Sequence, residues 1–251
     1  MAKDLLMSPE EFLKSGIHIG TRYKTKGMKK YIYNQRRDGL KVLAIETISD
    51  KVKAASKLLA QYEPEEIVVV GRRVFASKAI TKFCDVTGCT AKTGRFIPGT
   101  FTNTDSKTFI EPSIVLITES NLDKQAIKEA KTLNIPVISF SSTNNFTENI
   151  DLVIPANNKG GKSLATLYWL LAREFLIAKG VIKTKQDYKS RNEEFEFKGK
   201  TKAKPRDNRR GGNNRRPPQR GFARRYWIYR WMNVYKIKIS FNYSRISIRQ
   251  T

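Results

Sequence analysis

DLVIPANNKGGKSLATLYWLLAREF, residues 151–175, holds the reading on which the fold turns. An apolar run, Leu152 to Ile154, passes into a small polar loop ending Gly160-Gly161-Lys162-Ser163, and an apolar helix pattern follows at once. Strand, polar loop and helix form the unit of an α/β protein. They also form the topology of a phosphate loop, where backbone N–H groups and a lysine face an anion at a helix N-terminus. AxxxxGKS, Ala156 to Ser163, matches the relaxed form of that motif with alanine for its first glycine. Glu119, after the apolar run IVLIT, sits where a hydrolase would place its metal-binding acid.

Outward from this unit the same rhythm repeats. Apolar runs lie at 40–45 (LKVLAI), 66–71 (EIVVVG), 113–118 (SIVLIT), 135–140 (IPVISF) and 151–155 (DLVIP). Between and after them, helical patterns run from Ser49 to Gln61, Val74 to Asp85, Leu122 to Leu133 and Gly161 to Lys179. Short continuous Val/Ile/Leu runs are the mark of strands covered on both faces, and β-α-β alternation places them in a parallel sheet. The sequence therefore predicts an α/β three-layer sandwich with a sheet of about five strands. Ligands of such sheets gather at the carboxyl ends of the strands, where Gly71-Arg72-Arg73, Thr118-Glu119-Ser120 and Asn157-Asn158-Lys159 should lie. Ahead of the sheet, Ser8 with Pro9 and Glu11 reads as a capping box opening an N-terminal helix.

Charge identifies the class of partner. The chain carries 48 Lys+Arg against 23 Asp+Glu, a net +25, far beyond what solubility requires, so a polyanion such as nucleic acid is expected. Residues 181–251 hold 21 of those cations against 5 acids. Residues 20–39 hold seven, Arg22, Lys24, Lys26, Lys29, Lys30, Arg36 and Arg37, against Asp38 alone, and read as an exposed arm. Residues 198–220 contain one alanine as their only hydrophobic residue, which predicts a disordered basic tail. After residue 221, Arg and Lys are mixed with Tyr, Trp and Phe, and this end reads as a hairpin or a strand that orders on RNA, or as an unstructured end. The expected division is an N-terminal helix and arm over 1–39, an α/β core over 40–190 and a tail over 191–251.

Chemistry other than anion binding has little to stand on. There is no GxGxxG after a strand, no GxSxG and no HExxH, and the one histidine, His18, cannot serve the common general-base schemes. Cys84 and Cys89 have no second pair, so they read as reduced structural thiols with no metal site and no cofactor. No signal peptide or membrane-spanning run is evident, and a cytoplasmic protein is expected.

The phosphate-loop motif also fails as a catalytic one. It follows the last strand, the acid precedes it, and asparagines stand where glycines should let backbone approach phosphate. A helix start that faces a phosphate of RNA explains the same residues. Nucleotide hydrolysis through Lys162 and Ser163 stays as the alternative, with an RNA chaperone acting through the tail as a third reading. In KTGRFIPGTFTN, residues 92–103, Pro98-Gly99 predicts a tight turn presenting Arg95 and Phe96, a cation and a ring suited to a sugar-phosphate or an unstacked base.

Five segments in order resemble a known family: GIHIGTRYKTKGMKKYIYNQRRDGLKVLAIETI (16–48), GRFIPGTFTN (94–103), EPSIVLITE (111–119), EAKTLNIPVISFSSTN (129–144) and VIPANNKGGKSLATLYWLLARE (153–174). This is the family of the universal second protein of the small ribosomal subunit. The direct passage from the 49–61 helix into EIVVVG is similar to its archaeal branch, without the coiled-coil insertion of bacterial members. The resemblance implies a flavodoxin-like sheet with an N-terminal helical extension, no enzyme activity, no small-molecule substrate, and a place on small-subunit ribosomal RNA beside other small-subunit proteins. It implies RNA or protein contacts for the seven arm cations and for Arg95, Asn157, Lys159 and Lys162. Position at the strand ends adds Arg72 and Arg73, and tail charge adds Arg209, Arg210, Arg215 and Arg216.

Overall fold

In a computed structural model, residues 5–188 and 190–197 are described, within a compact unit spanning Met1–Lys200. Expectations for residues 198–251, including the four tail arginines, lie outside the described residues.

The center is a five-stranded parallel sheet in the order β4-β3-β5-β6-β7, made of β3 (Ile67–Gly71), β4 (Thr90–Thr93), β5 (Ile114–Ile117), β6 (Val137–Ser141) and β7 (Leu152–Pro155). Every residue of β3, β5 and β6 is buried, as strands covered on both sides require. Alternation divides them. Ile67 and Val69 join a core with α2 (Ile45–Leu59), α3 (Val74–Thr87) and α5 (Gly161–Ala178). Val68 and Val70 join a smaller core with α4 (Lys124–Thr132) and Phe101 of the β4–β5 loop. Helices, sheet, and helix plus loop make the three layers.

One expected strand is corrected. LKVLAI does not enter the parallel sheet: β2 (Lys41–Leu43) pairs antiparallel with β1 (Ile32–Gln35), and α2 begins already at Ile45. The fifth parallel strand is β4, TAKT, whose residues alternate between half-buried and exposed because it is an edge strand with one side open. Polar threonine and lysine hide such a strand from a search for apolar runs.

Helix α5 is apolar almost all round because it is wedged between α2, α3 and the sheet. Tyr168 is fully buried between Phe83 and Phe140, at 5.6 and 5.1 Å between ring centers, and its hydroxyl meets that of Thr118 at 2.7 Å. Beyond α5 the chain doubles back. Trp169 Nε1 donates to Ser190 O at 2.7 Å, and Phe195 of α6 (Asn192–Phe195) is fully buried. No helix among the described residues is long and apolar enough to cross a membrane.

The N-terminal segment is bound onto the sheet rather than free. Helix α1 (Pro9–Ser15) starts at Ser8, whose Oγ accepts from Glu11 N at 3.4 Å, and ends at left-handed Gly16. The chain then crosses the carboxyl ends of β6 and β7, where Thr21 N donates to Thr143 Oγ1 at 2.8 Å and Thr25 N to Thr143 O at 3.0 Å. Close approach here demands glycine. A Cβ on Gly20 would lie 2.6 Å from Thr143 Cγ2 and 2.9 Å from Lys41 O.

Gly20→Ala is therefore expected to lower unfolding stability by about 1–3 kcal/mol, read as a reduced urea midpoint. An unchanged midpoint would contradict the close docking of this segment.

Candidate nucleic-acid interface

The carboxyl ends of the parallel strands form one rim, and the sequence-predicted cations fall into groups along it. Over β6 and β7 lies the arm. Met28 and Tyr31 are buried and pin it, Thr25 Oγ1 donates to Asn145 O at 2.8 Å, and β1–β2 closes it as a hairpin. With the backbone held, the side chains point outward. All seven of Arg22, Lys24, Lys26, Lys29, Lys30, Arg36 and Arg37 are exposed. None of them forms an ion pair among the described residues. Tyr23 and Tyr33 stand among them in sequence with 80% and 79% of their surface open, so exposed rings alternate with exposed cations along the arm.

Over β3 and β4 the rim carries Arg72 and Arg95, both exposed. Arg73 is engaged differently. Its Nε donates to Glu119 Oε2 at 2.6 Å, and Glu119 is buried. The turn expected at Pro98-Gly99 is present: Thr100 N donates to Ile97 O at 3.2 Å, with Gly99 at φ 88°. Buried Glu129 fixes it by accepting Gly99 N at 2.8 Å and Phe101 N at 3.1 Å. Between this turn and the start of α4 is a cleft of about 240 Å³ lined by Arg72, Arg95, Phe96, Pro98, Leu122, Asp123 and Gln125. Asp123 is 2% exposed, and neither carboxylate oxygen has a hydrogen-bond partner. Burial pushes its pKa up to about 6. The Arg72 N–H, close by but outside hydrogen-bonding geometry, opposes that rise, Glu119 adds to it, and the Arg72 and Arg73 charges oppose it.

The loop from Ala156 to Ser163 does not make a phosphate cradle. Asn157 N donates to Ile17 O at 2.8 Å and its Nδ2 to Gly16 O at 3.1 Å. Buried Asn158 donates to Phe140 O at 3.1 Å and Thr118 O at 3.4 Å. Ser163 is buried and spends its hydroxyl on Asn157 O at 2.6 Å. Lys159 is half-buried. Lys162 is exposed and lines a separate groove beside Glu11 and Lys14 of α1. The Ser163 hydroxyl and the Glu119 carboxylate that a hydrolase would need for a metal are thus already committed, so the nucleotide-hydrolase alternative finds no support here.

Three other singled-out residues are partly or fully packed into the fold. His18 is half-buried and burial lowers its pKa. Cys84 and Cys89 are free and buried, and burial raises both thiols, which suits inert packing. Among the described residues no group of three or more His, Cys, Asp or Glu is arranged to hold a metal ion. Sequence reasoning missed Asp123 and Glu129, which read as solvated helix charges. It also missed Arg173, buried with Nη2 donating to Leu6 O at 2.8 Å while its guanidinium lies over Trp169.

The model of the ribosomal protein S2 family matches residues 12–108 and 106–177. The small ribosomal subunit protein uS2 of Staphylothermus marinus is 47% identical over 197 residues, covering 78% of this chain and 90% of its own length. Its counterpart in Thermoplasma acidophilum is 45% identical over 196 residues, covering 78% of this chain and 98% of its own.

A carboxyl group whose pKa is raised on folding favors the folded state only while protonated, so its contribution is lost as pH climbs from the unfolded value toward about 6. Asp123→Asn is expected to stabilize the protein at pH 7.5 by on the order of 2–3 kcal/mol. Urea titrations at pH 4.5 and pH 7.5 should show the advantage growing with pH. A variant that is neutral or destabilized at pH 7.5 would contradict the unpaired state of this carboxylate.

Proposed function

Because the chain belongs to the ribosomal protein S2 family, in its archaeal branch, and is thereby a structural constituent of the small ribosomal subunit, we propose that small-subunit ribosomal RNA is gripped by its basic arm and sheet rim. The observation that carries this reading is the arm itself: seven exposed cations without carboxylate partners among the described residues, on backbone tied to the sheet. A charge fixed in place before binding loses less entropy on meeting a phosphate than one on a free tail.

On this reading Arg22, Lys24, Lys26, Lys29, Lys30, Arg36 and Arg37 take phosphates, and Arg72 and Arg95 extend the track along the rim. Tyr23 and Tyr33 stack on exposed bases without selecting among them. Arg73 acts through Glu119, holding the rim in shape. Lys159 and Lys162, with Asn157 behind them, face RNA or a neighboring small-subunit protein on the α1 side. The tail arginines Arg209, Arg210, Arg215 and Arg216 add non-specific phosphate contacts. The division into arm (1–39), core (40–190) and tail (191–251) is one of role, with excess charge at both ends, while packing runs past these bounds through Phe12 and Ile17 on one side and Phe195 on the other. The protein works in the cytoplasm with the ribosome, without a cofactor, a membrane or a small-molecule substrate. On this reading it has no catalytic role, which is supported by the polar groups of the hydrolase-like loop being used to fasten the fold.

Binding through phosphates releases counterions, so association weakens steeply with salt. Sedimentation of small subunits over a salt series should show the chain leaving as salt rises. Replacing Arg22, Lys24 and Lys26 together by Ala should lower the slope of log affinity against log salt by roughly 2. A triple variant with the parent's salt profile would contradict the assignment of the arm to RNA.

A further inference from the structure

The cleft between the Pro98-Gly99 turn and α4 has a composition that phosphate binding alone does not explain. Two exposed arginines at its mouth, Arg72 and Arg95, suit phosphate. Phe96 and Pro98 supply flat apolar walls, and Phe96 is braced edge-on by buried Phe101 at 5.0 Å between ring centers. Leu122, 39% exposed, closes the side. Asp123 is out of place in such a wall. A carboxylate with only the Arg72 N–H close to it, buried beside a phosphate-binding cleft, would only repel the phosphate.

Its chemistry fits a base instead. A carboxylate offers two acceptors side by side and no donor when ionized. Guanine presents two donors side by side, the ring N1–H and the exocyclic N2 amine. Adenine and cytosine present an amine next to an acceptor, and uracil a single N–H between two acceptors. Single-stranded RNA is read in this way, with a splayed base stacked on a ring and hydrogen-bonded along its Watson–Crick edge. The cleft, about 240 Å³, lies below the range of drug-sized sites and has the scale of one base. It also lies at the crevice beside β3 and β5, where the strand order of the sheet reverses.

We propose that this cleft holds one unpaired guanine, stacked on Phe96 and paired through N1–H and N2–H to the two oxygens of Asp123, with Arg72 and Arg95 on the flanking phosphates. The proposal rests on the RNA-binding reading above for taking that guanine from an RNA strand. Both oxygens are buried, so pairing with the base requires the side chains around them to shift, a rearrangement of the kind interfaces commonly make. Because burial raises the Asp123 pKa to only about 6, the group is an anionic acceptor at pH 7.5.

The test uses the full chain at pH 7.5 and fluorescence anisotropy with labeled seven-nucleotide RNAs. The probes are oligouridine and the same strand with its central base replaced by guanine, inosine or adenine. Inosine lacks the N2 amine and keeps N1–H. The guanine strand should bind roughly tenfold tighter than the inosine strand, and the adenine strand no tighter than oligouridine. Asp123→Asn should erase the guanine preference and raise oligouridine affinity modestly, since it removes the repulsion between this carboxylate and phosphate, and Phe96→Ala should weaken the guanine strand most. Guanosine monophosphate is the competitor that separates sources. Competition only at far higher concentration than the oligonucleotide assigns the slot to guanine within a strand, whereas equal potency assigns it to the free nucleotide, and either result supports a guanine slot. Equal affinity for guanine and inosine strands, or a preference that survives Asp123→Asn, would overturn it. Oligouridine binding reports separately on the phosphate grip, so losing guanine selectivity leaves the ribosomal reading standing.

Discussion

Two hydrogen bonds from Asn157 to the Gly16–Ile17 backbone bind the N-terminal segment to the last loop of the sheet, and the interface is built on that attachment. They join residues about 140 positions apart in sequence, through the loop that follows β7. Thr143 continues the seam by meeting Thr21 and Thr25, and Gly20 allows the two backbones to approach. Without this seam residues 20–39 would be a basic coil whose ordering RNA would have to supply. With it, the arm and the Arg72–Arg95 rim lie along one edge of a single sheet.

The same seam shows how a local sequence pattern can mislead. AxxxxGKS has the order of a phosphate loop, yet its asparagine and serine side chains bond back to the fold. The side chain of Asn158 reaches across to β6 and to the residue after β5, and Ser163 turns back on Asn157 O. Order along the chain cannot tell a loop that cradles an anion from one that satisfies its own backbone, since the difference lies in partners far away in sequence.

Much of the architecture was nonetheless legible. The apolar runs at 66–71, 113–118, 135–140 and 151–155 are β3, β5, β6 and β7, because burial on both faces leaves a continuous hydrophobic signature. Tyr168, read as core, is fully buried. The arm cations were legible as charge, and their exposure follows from a backbone pinned by Met28 and Tyr31. Strand β4 was not legible because an edge strand needs no apolar run, and 40–45 misled because its buried residues Lys41 and Leu43 belong to a hairpin with β1 rather than to the parallel sheet. Phe195 was hidden because it and Phe197 stand among acids in NEEFEF, residues 192–197. Asp123 and Glu129 share a helix surface pattern in sequence, but Glu129 holds two backbone N–H groups while Asp123 holds none.

The most direct measurement of the central claim is a density map of the assembled small subunit at side-chain resolution. The account predicts ribosomal RNA phosphates against the guanidinium and ammonium groups of Arg22 to Arg37, with the strand carboxyl ends turned toward RNA. RNA approaching instead over the α2–α3 helical layer, with the arm left facing solvent, would contradict it.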